Sequence, residues 1–218
     1  MDVKERLLEI KGKLPPQVKL VAVSKFHPVE RLMEAYDAGQ RCFGENRPQE
    51  FAAKVPQMPV DVEWHFIGHL QTNKLKQVLP YAALVESVDS VHLLEAINAW
   101  ALANGKVVPV LLELHLGAEE TKHGLSEDEI LSVLSSSYAG VRFRGLMGMA
   151  TNTDNMAVVE ADFARIEALF LRIREEFPEL RDTFTELSTG MSGDWPLAVK
   201  HGATIVRIGT DIFGPREY

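Results

Sequence analysis

The most constraining feature of this sequence is one local pattern, repeated along the chain: a short, largely apolar run, a turn, then a stretch with apolar residues at helical spacing. The runs fall at Lys19–Lys25, Arg41–Gly44, Glu63–Ile67, Leu84–Ser87, Val107–Leu116, Val141–Met147, Thr185–Ser188 and Ile205–Ile208. Helices are predicted over Pro28–Ala38, Pro48–Lys54, Asn73–Leu79, Ser90–Asn104, Ser126–Ser136, Met156–Phe177 and Gly193–His201. Apolar strands separated by helices belong to a parallel sheet covered on both faces. Eight such units in 218 residues suit a closed (β/α)8 barrel, which needs roughly 200 to 250 residues. A flavodoxin-like or Rossmann sheet is the competitor, but an open sheet seldom uses eight regular units, and no GxGxxG follows the first run. The expectation is an α/β fold, a (β/α)8 TIM barrel, formed as a single domain over residues 1–218, because no Pro/Gly/Ser-rich linker divides the chain.

Charge and cysteine content narrow the partners. Twenty-three basic residues stand against 31 acidic ones, a net charge of −8, with no Lys/Arg cluster to track a phosphate backbone; nucleic acid is not an expected partner. Cys42 is the only cysteine, so no internal disulfide can form, and a reducing, cytoplasmic setting is expected. The N-terminal stretch alternates charges and has no continuous apolar segment, which excludes a signal peptide or membrane span there. Leu7, Leu8, Ile10 and Leu14 give it one apolar face, as for a helix packed on a body.

The chemistry begins at Lys25. Strand alternation puts Val21, Val23 and Lys25 on one side of the first run and Ala22 and Ser24 on the other. A lysine amine held against apolar walls loses hydration and is available to attack a carbonyl, the behaviour of a Schiff-base lysine; a strand-end lysine reaching into solvent is the plainer alternative. In a barrel, functional groups gather at the C-terminal strand ends, and phosphate sites form after strands seven and eight. Here Ser188–Asp194 (STGMSGD) follows the seventh run and Gly209-Thr210 the eighth. Glycines admit backbone N–H groups to a phosphate, Ser and Thr add hydroxyl donors, and a helix starting near Gly193 would present its positive end. Arg207, two residues before Gly209, should point into the barrel mouth, pairing there with a core carboxylate such as Glu113 or Glu45 or donating to a ligand's ring nitrogen. A lysine, a phosphate cradle and an inward arginine at one mouth describe a site for pyridoxal 5′-phosphate, PLP.

Seven motifs carry a family resemblance: VAVSK, FGEN (Phe43–Asn46), WHFIGHLQxNK (Trp64–Lys74), SVDS (Ser87–Ser90), GLM (Gly145–Met147), LSTGMSGD (Leu187–Asp194) and HGATIVRIGTDIFG (His201–Gly214). Together and in this order they resemble the PLP homeostasis proteins, which themselves resemble the N-terminal barrel of alanine racemase. The resemblance implies Lys25 as the aldimine lysine, Arg207 at the pyridine nitrogen, Ser192, Gly209 and Thr210 around the phosphate, and Asn46 near the cofactor; Gly193 joins the cofactor-binding set as the expected helix start of the cradle. His115 stands where many relatives have asparagine, Thr189 varies the stretch before GMSGD, and His69 differs from some relatives.

Rival chemistries are weaker. His65 and His69, four residues apart, would lie roughly 13 Å apart along a strand, and nothing in the sequence groups further ligands with them, so no metal site is expected. Glu119, Glu120, Lys122 and His123 in the polar 117–124 loop are most simply solvated, and Trp64, Trp100 and Trp195 read as packing residues. Alanine racemase, by resemblance, uses a second β-rich domain that brings a tyrosine acid/base, whereas this sequence ends at Tyr218. The expected function is therefore non-catalytic: binding PLP and delivering it to PLP-dependent apo-enzymes, by a monomer. A PLP-dependent amino-acid racemase or other weak amino-acid enzyme is the alternative.

Overall fold

A computed structural model describes residues 1–117 and 123–215. Its strands are β1 (Lys19–Val23), β2 (Cys42–Glu45), β3 (Glu63–Phe66), β4 (Leu84–Val88), β5 (Val108–Glu113), β6 (Val141–Met147), β7 (Glu186–Ser188) and β8 (Ile205–Ile208). They pair in chain order, all parallel, and β8 returns to β1 with Val21 opposite Arg207, closing the expected barrel. The surrounding helices are α1 (Val3–Lys13), α2 (Val29–Asp37), α3 (Pro48–Lys54), α4 (Leu75–Val78), α5 (Val91–Ala103), α6 (Glu127–Leu134), α7 (Met156–Glu176), α8 (Trp195–Lys200) and α9 (Thr210–Phe213). Among the described residues no helix is long and apolar enough to cross a membrane.

Alternation along each strand separates two cores. Val21, Cys42, Leu84, Leu111, Met147 and Ile205 fill the barrel. Leu20, Ala22, Phe43 and Phe66 join a larger layer against the helices. In that layer Phe51 of α3 meets Trp64 at 5.7 Å and Phe66 at 5.9 Å between ring centroids, edge on. Each such side chain contributes roughly 1.5 to 3 kcal/mol by leaving water, so α3 is tied firmly to the β2–β3 edge. Gly44 is needed in the interior because a Cβ there would lie 2.7 Å from Val21 Cγ1.

Several element ends differ from expectation, for local reasons. β1 stops at Val23, since the chain turns at Phe26, whose φ is +68°. β5 ends at Glu113, and only an isolated bridge from Leu114 to Leu125 continues it. Where one helix was expected over Asn73–Leu79, a 3-10 turn over Thr72–Lys74 precedes the short α4. α8 begins at Trp195, not Gly193: the Asp194 carboxylate accepts the Met191 N–H, folding the intervening residues into a turn. On α1 the buried face is Val3, Leu7 and Ile10, one helical step away from Leu8, which is exposed.

Candidate functional site

The C-terminal strand ends surround a cavity of about 640 Å³, within the range of small-molecule sites. Lys25, Asn46, Ser192, Gly193, Arg207, Gly209 and Thr210, all singled out from the sequence, line it together.

Lys25 is half-buried and lies two residues beyond the last residue of β1. Its neighbours are fixed by side chains. Ser24 Oγ donates to Glu45 Oε1 at 2.7 Å, and Lys54 Nζ donates to the Ser24 carbonyl at 2.9 Å and to Glu45 Oε1 at 2.6 Å. On the other side the Phe26 N–H donates to Glu50 Oε2 at 2.9 Å while the Arg47 guanidinium lies over the Phe26 ring, 4.2 Å from its centroid. A left-handed phenylalanine costs about 1–3 kcal/mol; these contacts, most of them from α3, hold it in place. Burial raises the Glu45 carboxyl pKa, against the pull of the Lys54 charge.

Arg207 is buried inside the barrel on β8. It donates to Ser188 Oγ at 2.5 Å and to the Gly148 carbonyl at 3.0 Å, with Glu86 Oε2 3.7 Å away. Ser188 Oγ in turn donates to Glu86 Oε2 at 2.5 Å, and Glu86 Oε1 meets His65 Nδ1 at 2.5 Å. The chain of contacts runs on through His65 Nε2 and Glu63 Oε1 (3.1 Å) to Lys19 Nζ (2.7 Å) near the opposite end of the barrel. Burial opposes charging His65, but its contacts with Cys42, Glu63 and Glu86 outweigh this and hold its pKa well above the usual imidazole range. Burial likewise opposes charging Glu86, yet the His65 bond and the His65 and Arg207 charges keep that carboxyl below its usual range. The His65 hydrogen bond, with Lys19 in support, lowers Glu63 to about 2 against its partial burial. Arg207 thus has its carboxylate neighbour in Glu86, not in the Glu113 or Glu45 considered from the sequence.

The two turns differ in accessibility. After β7, Gly190 has φ +93° and its carbonyl accepts the Arg207 N–H at 2.9 Å, docking the turn on β8. A Cβ on Gly193 would meet nothing within 4 Å, so this residue opens on free space. A Cβ on Gly209 would come within 3.2 Å of the Val23 carbonyl oxygen. Ser192 is half-buried and Thr210 exposed. Because α8 is only six residues long, the turn's own N–H and hydroxyl groups, more than a helix dipole, are what it offers an anion.

Of the facing wall the sequence suggested only Glu113, and that as a partner of Arg207; Asp89 was not singled out. Asp89 follows β4, Glu113 ends β5, and both are buried in the cavity lining. Burial first, then the Asp89 charge, pushes Glu113 up to about 7, and no described residue donates it a hydrogen bond. Asn46 Oδ1 is also buried without a partner among the described residues. His69 Nδ1 bonds Asp89 Oδ2 at 2.6 Å, and the His123 ring stacks on His69 at 4.4 Å. His123, expected to be merely solvated, is exposed yet lines the cavity; Glu119, Glu120 and Lys122 lie outside the described residues. His65 sits in the interior chain and His115 outside the cavity lining, its backbone bonded to Leu125. Strand-end position was the signal for Asp89 and Glu113, since each falls where barrel chemistry collects.

A closed parallel barrel with its polar groups gathered at one mouth defines a class, and the comparisons name it. The alanine racemase N-terminal domain family matches residues 2–217. A pyridoxal phosphate homeostasis protein of Schizosaccharomyces pombe is 39% identical over 203 residues, covering 91% of this chain and 84% of that protein. PipY of Synechococcus elongatus superposes with a TM-score of 0.92 in its structure without PLP, at 40% identity, over 98% of this chain and all of that one. Its structure with PLP bound gives 0.90 at 39% identity. The chain belongs to the alanine racemase N-terminal domain family and, within it, to the pyridoxal phosphate homeostasis proteins. An alanine racemase of Clostridium difficile shares the fold at 13% identity, with this chain spanning 57% of its length.

Proposed function

We propose that this protein binds pyridoxal 5′-phosphate and acts in its homeostasis, as a carrier or regulator that holds the cofactor on Lys25 as a Schiff base. The observation that carries the reading is the meeting of an amine, a buried guanidinium and two glycine-hydroxyl turns in one cavity of suitable size. The residues fit the group on their own chemistry. Asn46 offers a buried acceptor without a partner among the described residues, suited to a ring hydroxyl, and Gly193 leaves open space where a phosphate needs close approach. When bound, PLP supplies an aldehyde that condenses with primary amines.

The chain's own residues divide the remaining work. Ser192 and Thr210 donate hydroxyl hydrogens to the phosphate, and Gly193 and Gly209 keep side chains out of its way. Arg207, with two N–H groups already committed to Ser188 and Gly148, is a fixed donor that would serve the pyridine nitrogen and, being always protonated itself, would favour that nitrogen without a proton. An unprotonated ring is a poor electron sink, which favours holding the cofactor over turning over amino acids. The racemase alternative is not favoured: relatives that match nearly the whole chain carry the homeostasis name. We further propose that the barrel is a single domain, that the protein is cytoplasmic and monomeric, and that PLP-dependent apo-enzymes receive the cofactor.

The test is an absorption spectrum of protein mixed with PLP, followed by borohydride reduction and peptide mapping. The expected result is a visible band bleached by borohydride, with the reduced adduct on Lys25. An adduct on Lys74 or Lys54, or none, overturns the assignment.

A further inference from the structure

Among the described residues two groups of side chains bring three metal-ligating atoms together, each set within 4.8 Å: Cys42, Glu63 and His65 inside the barrel, and His69, Asp89 and His123 at the mouth. They differ in what already satisfies them. In the interior set Lys19 holds Glu63 at 2.7 Å, and both ring nitrogens of His65 are engaged by carboxylates. A metal ion there would have to displace an ammonium group. At the mouth Asp89 meets two imidazoles, His69 at 2.6 Å and His123 at 3.8 Å. Glu113, only 5% exposed, lines the same cavity. Two carboxylates thus lie withdrawn from water at one mouth, beside two exposed imidazoles.

We infer that His69, Asp89 and His123 form a binding site for a divalent ion of the zinc class (Zn²⁺, Co²⁺ or Ni²⁺), with Glu113 adding negative charge nearby. Two imidazole nitrogens and one carboxylate oxygen suit these borderline ions, whereas Mg²⁺ and Ca²⁺ favour all-oxygen sites. The three ligands come from separate places, the chain after β3, the end of β4 and the loop before α6, so the barrel itself sets their convergence. Metal–ligand bonds of about 2.0–2.2 Å in a tetrahedron separate ligand atoms by about 3.3 Å. The present separations from Asp89 Oδ2, 2.6 Å to His69 Nδ1 and 3.8 Å to His123 Nδ1, bracket that value. Asp89, with a side chain 4% exposed, is the fixed anchor; the His69 and His123 side chains, 48% and 63% exposed, have room to rotate out of their stack. Binding through His69 Nδ1 would use the tautomer whose proton sits on Nε2, and leaves a coordination position for solvent or a ligand in the cavity. The inference stands independently of PLP binding.

The test is calorimetric titration of the full, chelator-treated, PLP-free chain with ZnCl₂, with CoCl₂ absorption in parallel. The expected result is one ion per chain at micromolar or tighter affinity. His69→Ala and His123→Ala should each weaken binding by about tenfold or more, and both sit on exposed rings, so folding, checked by circular dichroism, should survive. His92→Ala, an exposed histidine on α5 outside the cavity lining, should change nothing. Absence of saturable one-to-one binding to the wild-type chain overturns the inference, as does binding left unchanged in both of the mouth variants.

Discussion

The mouth of the barrel and its interior both carry buried charge, but they treat it in opposite ways. Inside, Arg207, Ser188, Glu86, His65, Glu63 and Lys19 engage one another in a continuous chain, with acids and bases alternating. At the mouth, Asn46 Oδ1 is buried with no partner among the described residues, and Glu113 is buried beside Asp89, next to an open cavity. A buried polar group without a partner costs about 1–3 kcal/mol. The interior therefore supports the fold with its own partners, whereas the mouth keeps a polar group that no described residue satisfies. Arg207 belongs to both regions, and its two committed bonds make it the point where interior order is passed to the site.

The sharpest way to break this division is Lys25→Ala. It should abolish the borohydride-fixable adduct, leaving only weaker phosphate-held PLP in equilibrium dialysis, while the melting temperature stays near wild type. A collapse of stability would mean that Lys25 belongs to the framework. Next in size is Glu86→Leu, which strands Arg207 and His65 as buried cations and should cost about 3–5 kcal/mol in urea unfolding. A loss under about 1 kcal/mol, the usual scale of an exposed pair, would show that the interior chain is not the support described here.

Glu113 tests the other side of the comparison. Its raised pKa means that folding favours the protonated form, so the group opposes stability increasingly as pH rises from its ordinary 4.5 to about 7. In chelator-treated, PLP-free protein, Glu113→Gln should therefore raise stability by roughly 3 kcal/mol at pH 8 and by little at pH 4, as read from denaturant midpoints at the two pH values. Equal effects at both pH values would mean that Glu113 is ionised and accommodated throughout. The smallest expected effects are those of Ser192→Ala and Thr210→Ala, each weakening PLP by roughly 1.5–3 kcal/mol through one lost bond to a charged group, with the spectrum of bound cofactor unchanged. Arg207→Glu should shift that spectrum instead, because a carboxylate there favours a protonated ring nitrogen.

The barrel was legible because its evidence is local: each strand announces itself within a few residues, and eight repeats in sequence order leave little topological choice. Arg207 and the two glycine turns were legible for the same reason, since strand alternation and strand-end position place them, whereas Lys25 reaches the cavity from a turn beyond β1 that alternation does not govern. What escaped depends on distance in the chain. Ser188 and Glu86 are 102 residues apart and meet only across the closed barrel, so no spacing rule could single out Glu86 as the neighbour of Arg207. Cys42 and His65 converge because β2 and β3 are in register, with Cys42 opposite Glu63, a contact that judging His65 against His69 alone could not reveal. The start of α8 shifted because a single side-chain bond, Asp194 to Met191, outweighed the helical pattern.

Lys25 stands past the end of β1, and its immediate neighbours are secured by Arg47, Glu50 and Lys54, residues at the start of α3 or within it. The amine is thus carried on a bracket fixed to a neighbouring helix rather than on the rail of its own strand. Substitutions along α3 that never approach the cavity can therefore retune the lysine's reach, giving evolution a handle on cofactor retention that leaves the binding groups themselves untouched.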